Sequence, residues 1–228
     1  VKLTIDGIQV EAEKGTSILH AAESVGIEVP TLCYIKDLLP DGSCRMCMVE
    51  IESRGRTKME TACTAQVAEG LVVTTNSEKV RNARRNILDM LLSNHKTDCF
   101  SCPSNGDCKL QELCFEYGIE RTTYSGEQTE LPIDDSNKFF TYNPNLCILC
   151  HRCVNTCHKI VGRGAIDTME RGFDSAIGTP FHIDWADTNC ESCGNCVQAC
   201  PTGALTMKRR KNYRKYQIDK KVLTTCPH

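Results

Sequence analysis

Two stretches of the chain repeat one arrangement of thiols. Cys147-Ile148-Leu149-Cys150-His151-Arg152-Cys153-Val154-Asn155-Thr156-Cys157 is echoed by Cys190-Glu191-Ser192-Cys193-Gly194-Asn195-Cys196-Val197-Gln198-Ala199-Cys200. Thiolate is a soft ligand that suits zinc and iron–sulfur clusters. A tight C-x2-C-x2-C loop presents three thiolates to three corners of a cube, and in two-cluster ferredoxins the fourth cysteine of each run ligates the other cluster. That crossing assigns one [4Fe–4S] cluster to Cys147, Cys150, Cys153 and Cys200, and a second to Cys190, Cys193, Cys196 and Cys157. Pro201 completes the second run, whereas His158 stands where the first would carry proline. Four thiolates also suit structural zinc, but zinc motifs rarely repeat in this crossed form.

Two further groups lie upstream. Cys33-x10-Cys44-x2-Cys47-x15-Cys63 keeps the central C-x2-C and remote fourth ligand of plant-type ferredoxins, with a longer first gap. Gly42 and Ser43 supply a turn and a small side chain that let backbone N–H groups approach the sulfurs, so the expectation is a [2Fe–2S] cluster, with structural zinc as the alternative. His95-x3-Cys99-x2-Cys102-x5-Cys108 offers one imidazole and three thiolates. By ligand type it fits zinc or a [4Fe–4S] cluster, and its flanking motifs favour the cluster. Imidazole in place of thiolate leaves a cluster less negative and raises its potential.

The wider composition agrees with a redox carrier. The 17 cysteines are an odd number grouped as C-x2-C, which fits metal ligation in a reducing compartment better than paired disulfides. Val1 opens onto a strand-like run rather than a signal peptide, and no apolar stretch approaches the length of a membrane span, so the expectation is a cytoplasmic protein of a reducing or anaerobic cell. A net charge of −2 argues against a nucleic-acid footprint, which needs a clear basic excess. The cysteine-rich half has little else apolar to bury, so its clusters are expected to nucleate its folding.

Several elements must position these ligands. Lys2–Ala12 reads as a hairpin around Asp6-Gly7, followed by a helix capped at Thr16 or Ser17, lined by Ile18, Leu19, Ala22 and Val25, and stopped at Gly26. Strands are expected at Met48–Ile51 and Leu71–Thr74, giving a small α+β sheet crossed by one helix. Ser77–Asn94 reads as a capped helix that delivers the chain to His95, and Asp107–Tyr117 as another, ending at Gly118. Residues 122–137 read as a polar connector, and the duplicated runs as a pseudo-two-fold unit. Lys208–Lys221 is basic, a solvated connector or a docking patch for an acidic partner.

The order of these motifs carries a resemblance. Gly42-Ser43-Cys44-Arg45-Met46-Cys47, Asn105-Gly106-Asp107-Cys108-Lys109-Leu110-Gln111 and Arg171-Gly172-Phe173-Asp174 resemble the N-terminal iron–sulfur region shared by three families. These are the large iron–sulfur subunit of respiratory complex I, the catalytic subunits of multimeric [FeFe] hydrogenases, and the α subunits of NAD(P)-linked molybdenum or tungsten formate dehydrogenases. The resemblance covers essentially the whole chain. It implies a β-grasp [2Fe–2S] domain at 1–78, a small helical [4Fe–4S] domain with one histidine and three cysteine ligands at 79–140, a two-[4Fe–4S] ferredoxin-like domain at 141–208, and a connector at 209–228.

Val222-Leu223-Thr224-Thr225-Cys226-Pro227-His228 resembles the start of the T-T-C-P-x-C-G-x-G-C segment that opens the molybdopterin domain of formate dehydrogenases. This implies that the chain is cut from a longer protein, with Cys226 the first ligand of a further [4Fe–4S] cluster ahead of a Mo or W bis-molybdopterin site; an ordinary free thiol is the plainer alternative. The resemblance further implies a flavin- and NAD(P)-binding iron–sulfur subunit and a small [2Fe–2S] subunit as partners. A bifurcating assembly with ferredoxin, or one with a hydrogenase, is compatible with it. The expected function is therefore the electron-transfer arm of a formate dehydrogenase. The alternatives are the arm of an [FeFe] hydrogenase or a stand-alone complex I-like relay.

Other residues read more plainly. Cys114 is expected to be a buried structural thiol, His151 and His158 to sit beside ligands where they tune potential or face solvent, and Trp185 to pack near the second cube. His20 and His182 belong to no constellation, and Gly162-Arg163-Gly164 lacks the strand–helix context of a dinucleotide fingerprint. No catalytic nucleophile or acid–base pair is evident.

Overall fold

Asp6 and Gly7 both take positive φ (47° and 83°), the left-handed pair that folds β1 (Lys2–Ile5) onto β2 (Ile8–Glu11). The chain is described here from a computed structural model covering residues 1–209 and residue 222. Ser17 caps α1 (Ile18–Ser24), its hydroxyl accepting from His20 N at 3.2 Å, and the helix buries Ile18, Leu19, Ala21 and Ala22. With β3 (Met48–Ser53), β4 (Arg56–Thr61) and β5 (Val72–Thr74), the hairpin forms a five-stranded sheet of order β2-β1-β5-β3-β4. Only the β1–β5 pair is parallel. Leu3, Ile5, Val49, Ile51 and Val73 pack beneath α1, and Cys47 and Cys63 belong to the same core.

Strand β4 escapes a reading by hydrophobic pattern. Arg56, Thr57 and Lys58 are exposed on the sheet edge, and charged residues on an edge strand discourage pairing with other chains. What starts it is the Arg54-Gly55 turn, again left-handed (φ 50° and 71°).

Ser77 caps α2 (Glu78–Ser93) through Val80 N at 3.2 Å. Val80, Leu88 and Leu92 are buried along it, as is Arg84, which donates to Tyr117 Oη at 2.9 Å and to the Met48 carbonyl at 2.8 Å. Helix α3 (Lys109–Glu116) starts later than expected because Cys108 is extended (φ −132°), and Gly118 (φ 65°) follows its end. A second core joins these helices to three ligand groups: Leu88, Leu92, Leu110 and Leu113 pack with Cys33, Cys44, Cys108 and Cys150.

Residues 122–133 form no strand or helix, in line with a connector, and Asn145 fixes Leu131 from both sides of its backbone (2.9 and 2.8 Å). The duplicated unit is closed by β6 (Phe140–Tyr142) against β9 (Leu205–Met207), antiparallel. Between them come α4 (Arg152–Asn155), a π-helical turn at Thr156–Ile160, the hairpin β7 (Asp167–Met169) with β8 (Ala176–Gly178), and α5 (Asn195–Ala199). At three residues each, β6 to β9 are too short to show a period of two, so sequence pattern does not announce them. Trp185 is buried with its ring edge-on to Phe140 and Tyr142 (centroids 5.3 and 5.2 Å away). Among the described residues no helix is long and apolar enough to cross a membrane. The basic stretch beyond Arg209 and the expected ligand Cys226 lie outside the described residues.

Candidate metal centres

One backbone device recurs at three ligand loops. The N–H two residues beyond the first cysteine donates to its sulfur, from Met46 to Cys44, Leu149 to Cys147 and Ser192 to Cys190, each at 3.4 Å. A residue in the left-handed region bends each loop inward: Arg45 (φ 58°), Leu149 (φ 50°) and Ser192 (φ 56°). Such turns aim successive N–H groups into a concavity that favours anions, here a thiolate. Leu149, Ser192 and Arg45 are functional positions that residue type does not reveal; the C-x2-C spacing is their signal.

At the first centre the thiols stand in two pairs. Cys47 and Cys63 have sulfurs 3.3 Å apart, and Cys33 and Cys44 share a hydrogen bond. All four are buried. The hydrogen bond with Cys44 holds Cys33 down to about 5, and that with Cys63 holds Cys47 down to about 7, while the partners Cys44 and Cys63 are pushed up. Backbone N–H groups of Ser43 and Cys44 add to the stabilisation of the Cys33 thiolate, as the Gly42-Ser43 turn implied. Gly42 is left-handed (φ 66°), and a Cβ there would meet Thr64 Cγ2 at 3.2 Å. Two thiol pairs suit a two-iron rhomb, one pair for each iron.

The second centre is a small cavity lined by His95, Cys99, Cys102 and Cys108, with Gly203 at its wall. His95 is 7% exposed, and its Nδ1 is buried with no hydrogen-bond partner. Desolvation lowers its pKa and keeps the ring neutral, the form in which imidazole binds metal. An orphaned buried nitrogen costs about 1–3 kcal/mol. A neutral ring among three thiols therefore fits a metal ligand set. Burial also pushes Cys108 up to about 11 and raises Cys99. Gly203 comes so close that a Cβ would stand 2.7 Å from Cys102 Sγ, and Lys109 N donates to the Pro201 carbonyl at 2.9 Å. The loop after Cys200 thus backs the histidine-containing centre.

The duplicated runs build two centres. Cys157, Cys190, Cys193 and Cys196 line one small cavity, walled by Phe140, Ile166 and Trp185. Cys147, Cys150 and Cys153 are neighbours of Cys200; burial pushes the first two up to about 12 and raises Cys153 well above its ordinary value. Both groupings are the crossed sets, with each fourth cysteine in the company of the other run. Cys153 also feels the charge of Cys196, so the two centres adjoin. Thiols this desolvated stay protonated unless a metal displaces the proton. No three His, Cys, Asp or Glu side chains among the described residues converge as one ion would require, with sulfurs about 2.3 Å from a common centre.

The remaining candidates fall elsewhere. Cys114 is buried on α3 in the second core, pushed up to about 12 by desolvation. His158 hydrogen-bonds the Ile166 carbonyl at 2.9 Å, His182 bonds Glu170 at 2.8 Å, and His20 bonds the Tyr34 hydroxyl. His151 lies 3.9 Å from Asp41, a contact between the first run and the loop ahead of Cys44.

Comparison with known proteins finds matches to three parts of the chain. Residues 1–78 match the 2Fe-2S iron-sulfur cluster binding domain, 84–123 the NADH-ubiquinone oxidoreductase-G iron-sulfur binding region, and 139–206 the ferredoxin-like domain of NADH-quinone oxidoreductase subunit 3. The chain is 41% identical to an NADH-quinone oxidoreductase G-type subunit of Rhizobium meliloti over 231 residues, covering 100% of this chain and 26% of that protein. It is 43% identical to the NADPH-Fe(3+) oxidoreductase subunit alpha of Geobacter sulfurreducens, covering 91% of this chain and 24% of that one. For the NADP-reducing hydrogenase subunit HndD of Solidesulfovibrio fructosivorans the figures are 38% identity, 89% and 35%. The chain therefore spans between about a quarter and a third of the curated relatives it matches. A solved chain of an NAD+-reducing [NiFe]-hydrogenase in the H2-reduced state superposes with a TM-score of 0.83 at 30% identity, over 91% of this chain and 87% of that one.

Proposed function

We propose, on the premise that the chain belongs to the iron–sulfur regions of NADH-quinone oxidoreductase G and NAD(P)-linked hydrogenase types of subunit, that it is the electron-transfer arm of an NAD(P)-linked formate dehydrogenase. In this reading the [2Fe–2S] site is Cys33, Cys44, Cys47 and Cys63, and His95, Cys99, Cys102 and Cys108 hold a [4Fe–4S] cluster. The crossed sets Cys147/Cys150/Cys153/Cys200 and Cys190/Cys193/Cys196/Cys157 hold two more. The sheet order β2-β1-β5-β3-β4 under one helix supports a β-grasp first domain.

The observation that carries the relay is the packing of ligands from different motifs into shared cores, with Cys33, Cys44, Cys108 and Cys150 in one and Cys153, Cys157, Cys196 and Cys200 in another. Iron–sulfur clusters, when bound, take up and release single electrons. The chain's own part is to hold the thiolates rigidly, to direct N–H groups of Met46, Leu149, Ser192 and Ala165 at sulfur, and to exclude water with Trp185, Phe140 and Ile166. A flavin- and NAD(P)-binding subunit and a small [2Fe–2S] subunit would exchange electrons at one end, and a Mo or W bis-molybdopterin site at the other. The final Val222–His228 motif supports that second terminus, with Cys226 as a further cluster ligand. The similarity to hydrogenase chains favours a hydrogenase arm as the second reading.

The test has two parts. Anaerobic iron and acid-labile sulfide analysis with EPR of the reduced chain is expected to give one [2Fe–2S] and three [4Fe–4S] clusters; less iron breaks the relay. The gene beyond His228 is expected to continue into C-G-x-G-C, and a stop codon or a hydrogenase active-site cysteine set there would sink the formate dehydrogenase reading.

A further inference from the structure

Arg152 lies between Cys150 and Cys153, and its side chain leaves its own loop. Its Nε donates to the carbonyl of Ala199 and its Nη1 to the carbonyl of Tyr34, both at 2.6 Å. Ala199 precedes Cys200, and Tyr34 follows Cys33. One guanidinium thus spans from the backbone beside a ligand of the [2Fe–2S] site to the backbone beside the fourth ligand of the first cube. Both acceptors are carbonyl oxygens, which leave its charge unneutralised. The Arg152 N–H also donates to the Cys150 sulfur, and its charge favours the Cys150 thiolate against the larger opposing effect of burial.

We propose that Arg152 is a positioning residue that couples the [2Fe–2S] site to the first cube, fixing the gap between them and drawing both towards the reduced state with one shared positive charge. The inference rests on the cluster reading above. When loaded, the two centres whose ligands neighbour its acceptors would be anionic and would become more negative on reduction, so a cation held between them would favour the added electron on either side. Arginine suits the task because its planar fork reaches two acceptors at once, which a lysine ammonium does as a point charge on a flexible stem. A second seam joins the same two loops: Asp41 accepts from Asn155 and lies 3.9 Å from both His151 and Lys159. That seam does not use Arg152, so the loops are expected to stay docked when the charge is removed.

The experiment compares the full 228-residue chain with its R152Q and R152K variants, each reconstituted anaerobically, by EPR-monitored potentiometric titration and iron analysis. R152Q is expected to keep wild-type iron while the ratio of reduced to oxidised [2Fe–2S] centre and of first cube at a fixed potential each fall about tenfold, or about 59 mV for a one-electron couple. The histidine-containing centre and the second cube are expected to shift much less, and R152K to keep potentials near wild type. Unchanged potentials in R152Q, an equal shift at all four centres, or loss of the first cube from both variants would overturn the proposal. A wild-type chain without the two EPR signals would overturn the cluster reading itself, and iron analysis separates that failure before any variant is made.

Discussion

Through the third cysteine the two runs follow nearly the same path. Leu149 and Ser192 have φ of 50° and 56°, His151 and Gly194 have 58° and 76°, and each loop then enters a short helix, α4 or α5. Beyond that they part. In the second run Cys200 is extended (ψ 124°) ahead of Pro201, because proline drives the preceding residue out of the helical region, and the chain passes directly to β9. In the first, His158 imposes no such stop, the helix runs on as a π turn to Ile160, and the β7–β8 hairpin intervenes before Cys190. Cysteine spacing therefore decides which sulfurs meet, and the residue after the fourth cysteine decides where the chain goes next.

The comparison breaks most visibly at the fourth cysteines. Cys200→Ala is expected to abolish the first cube and Cys157→Ala the second, each with a loss of about four iron atoms per chain. If each substitution instead empties the centre of its own run, the crossing is wrong. EPR of the remaining cube distinguishes the two outcomes.

Giving the first run the second run's ending is the next largest change. His158→Pro forces Cys157 from its helical conformation and is expected to cost about 3 kcal/mol in chemical denaturation. A neutral result would mean that the two endings are interchangeable.

The histidine-containing centre differs from both runs in offering an imidazole. Burial lowers the pKa of His95 below 6.5, so between 6.5 and the lowered value the unfolded chain binds a proton that the folded chain excludes. The contribution is full above 6.5 and is lost as pH falls beneath it. Denaturation of the apo chain from pH 7.5 to about pH 5 is expected to show this loss, and His95→Gln to remove it.

The smallest effects concern the left-handed residue before each helix. His151→Gly is expected to stabilise the chain by up to about 1 kcal/mol and Gly194→Ala to destabilise it by about the same, read as shifts in denaturation midpoint. Equal responses would mean that His151 is compensated by its contact with Asp41.

Legibility followed the range of the interaction. Ligand spacing, the Asp6-Gly7 turn and the Ser77 cap are local, and each could be read before any coordinates. The edge strand β4 was hidden by its charged residues, and the strands of the duplicated unit, β6 to β9, by their length. The role of Arg152 was not legible at all, since its bond to Tyr34 joins residues 118 positions apart and residue type gives no hint of it. The neutral, unpartnered state of His95 likewise depends on walls supplied by Cys108 and Gly203, distant along the chain.

The β6–β9 pair sets Phe140 opposite Met207, and Lys208 N donates to the Phe139 carbonyl at 2.8 Å. The backbone thus enters and leaves the duplicated unit through one doorway, whatever lies between. Closely spaced ends are what allow a unit to be spliced into a host chain without rearranging it. By that criterion the pair of runs has the end geometry of an insertable unit.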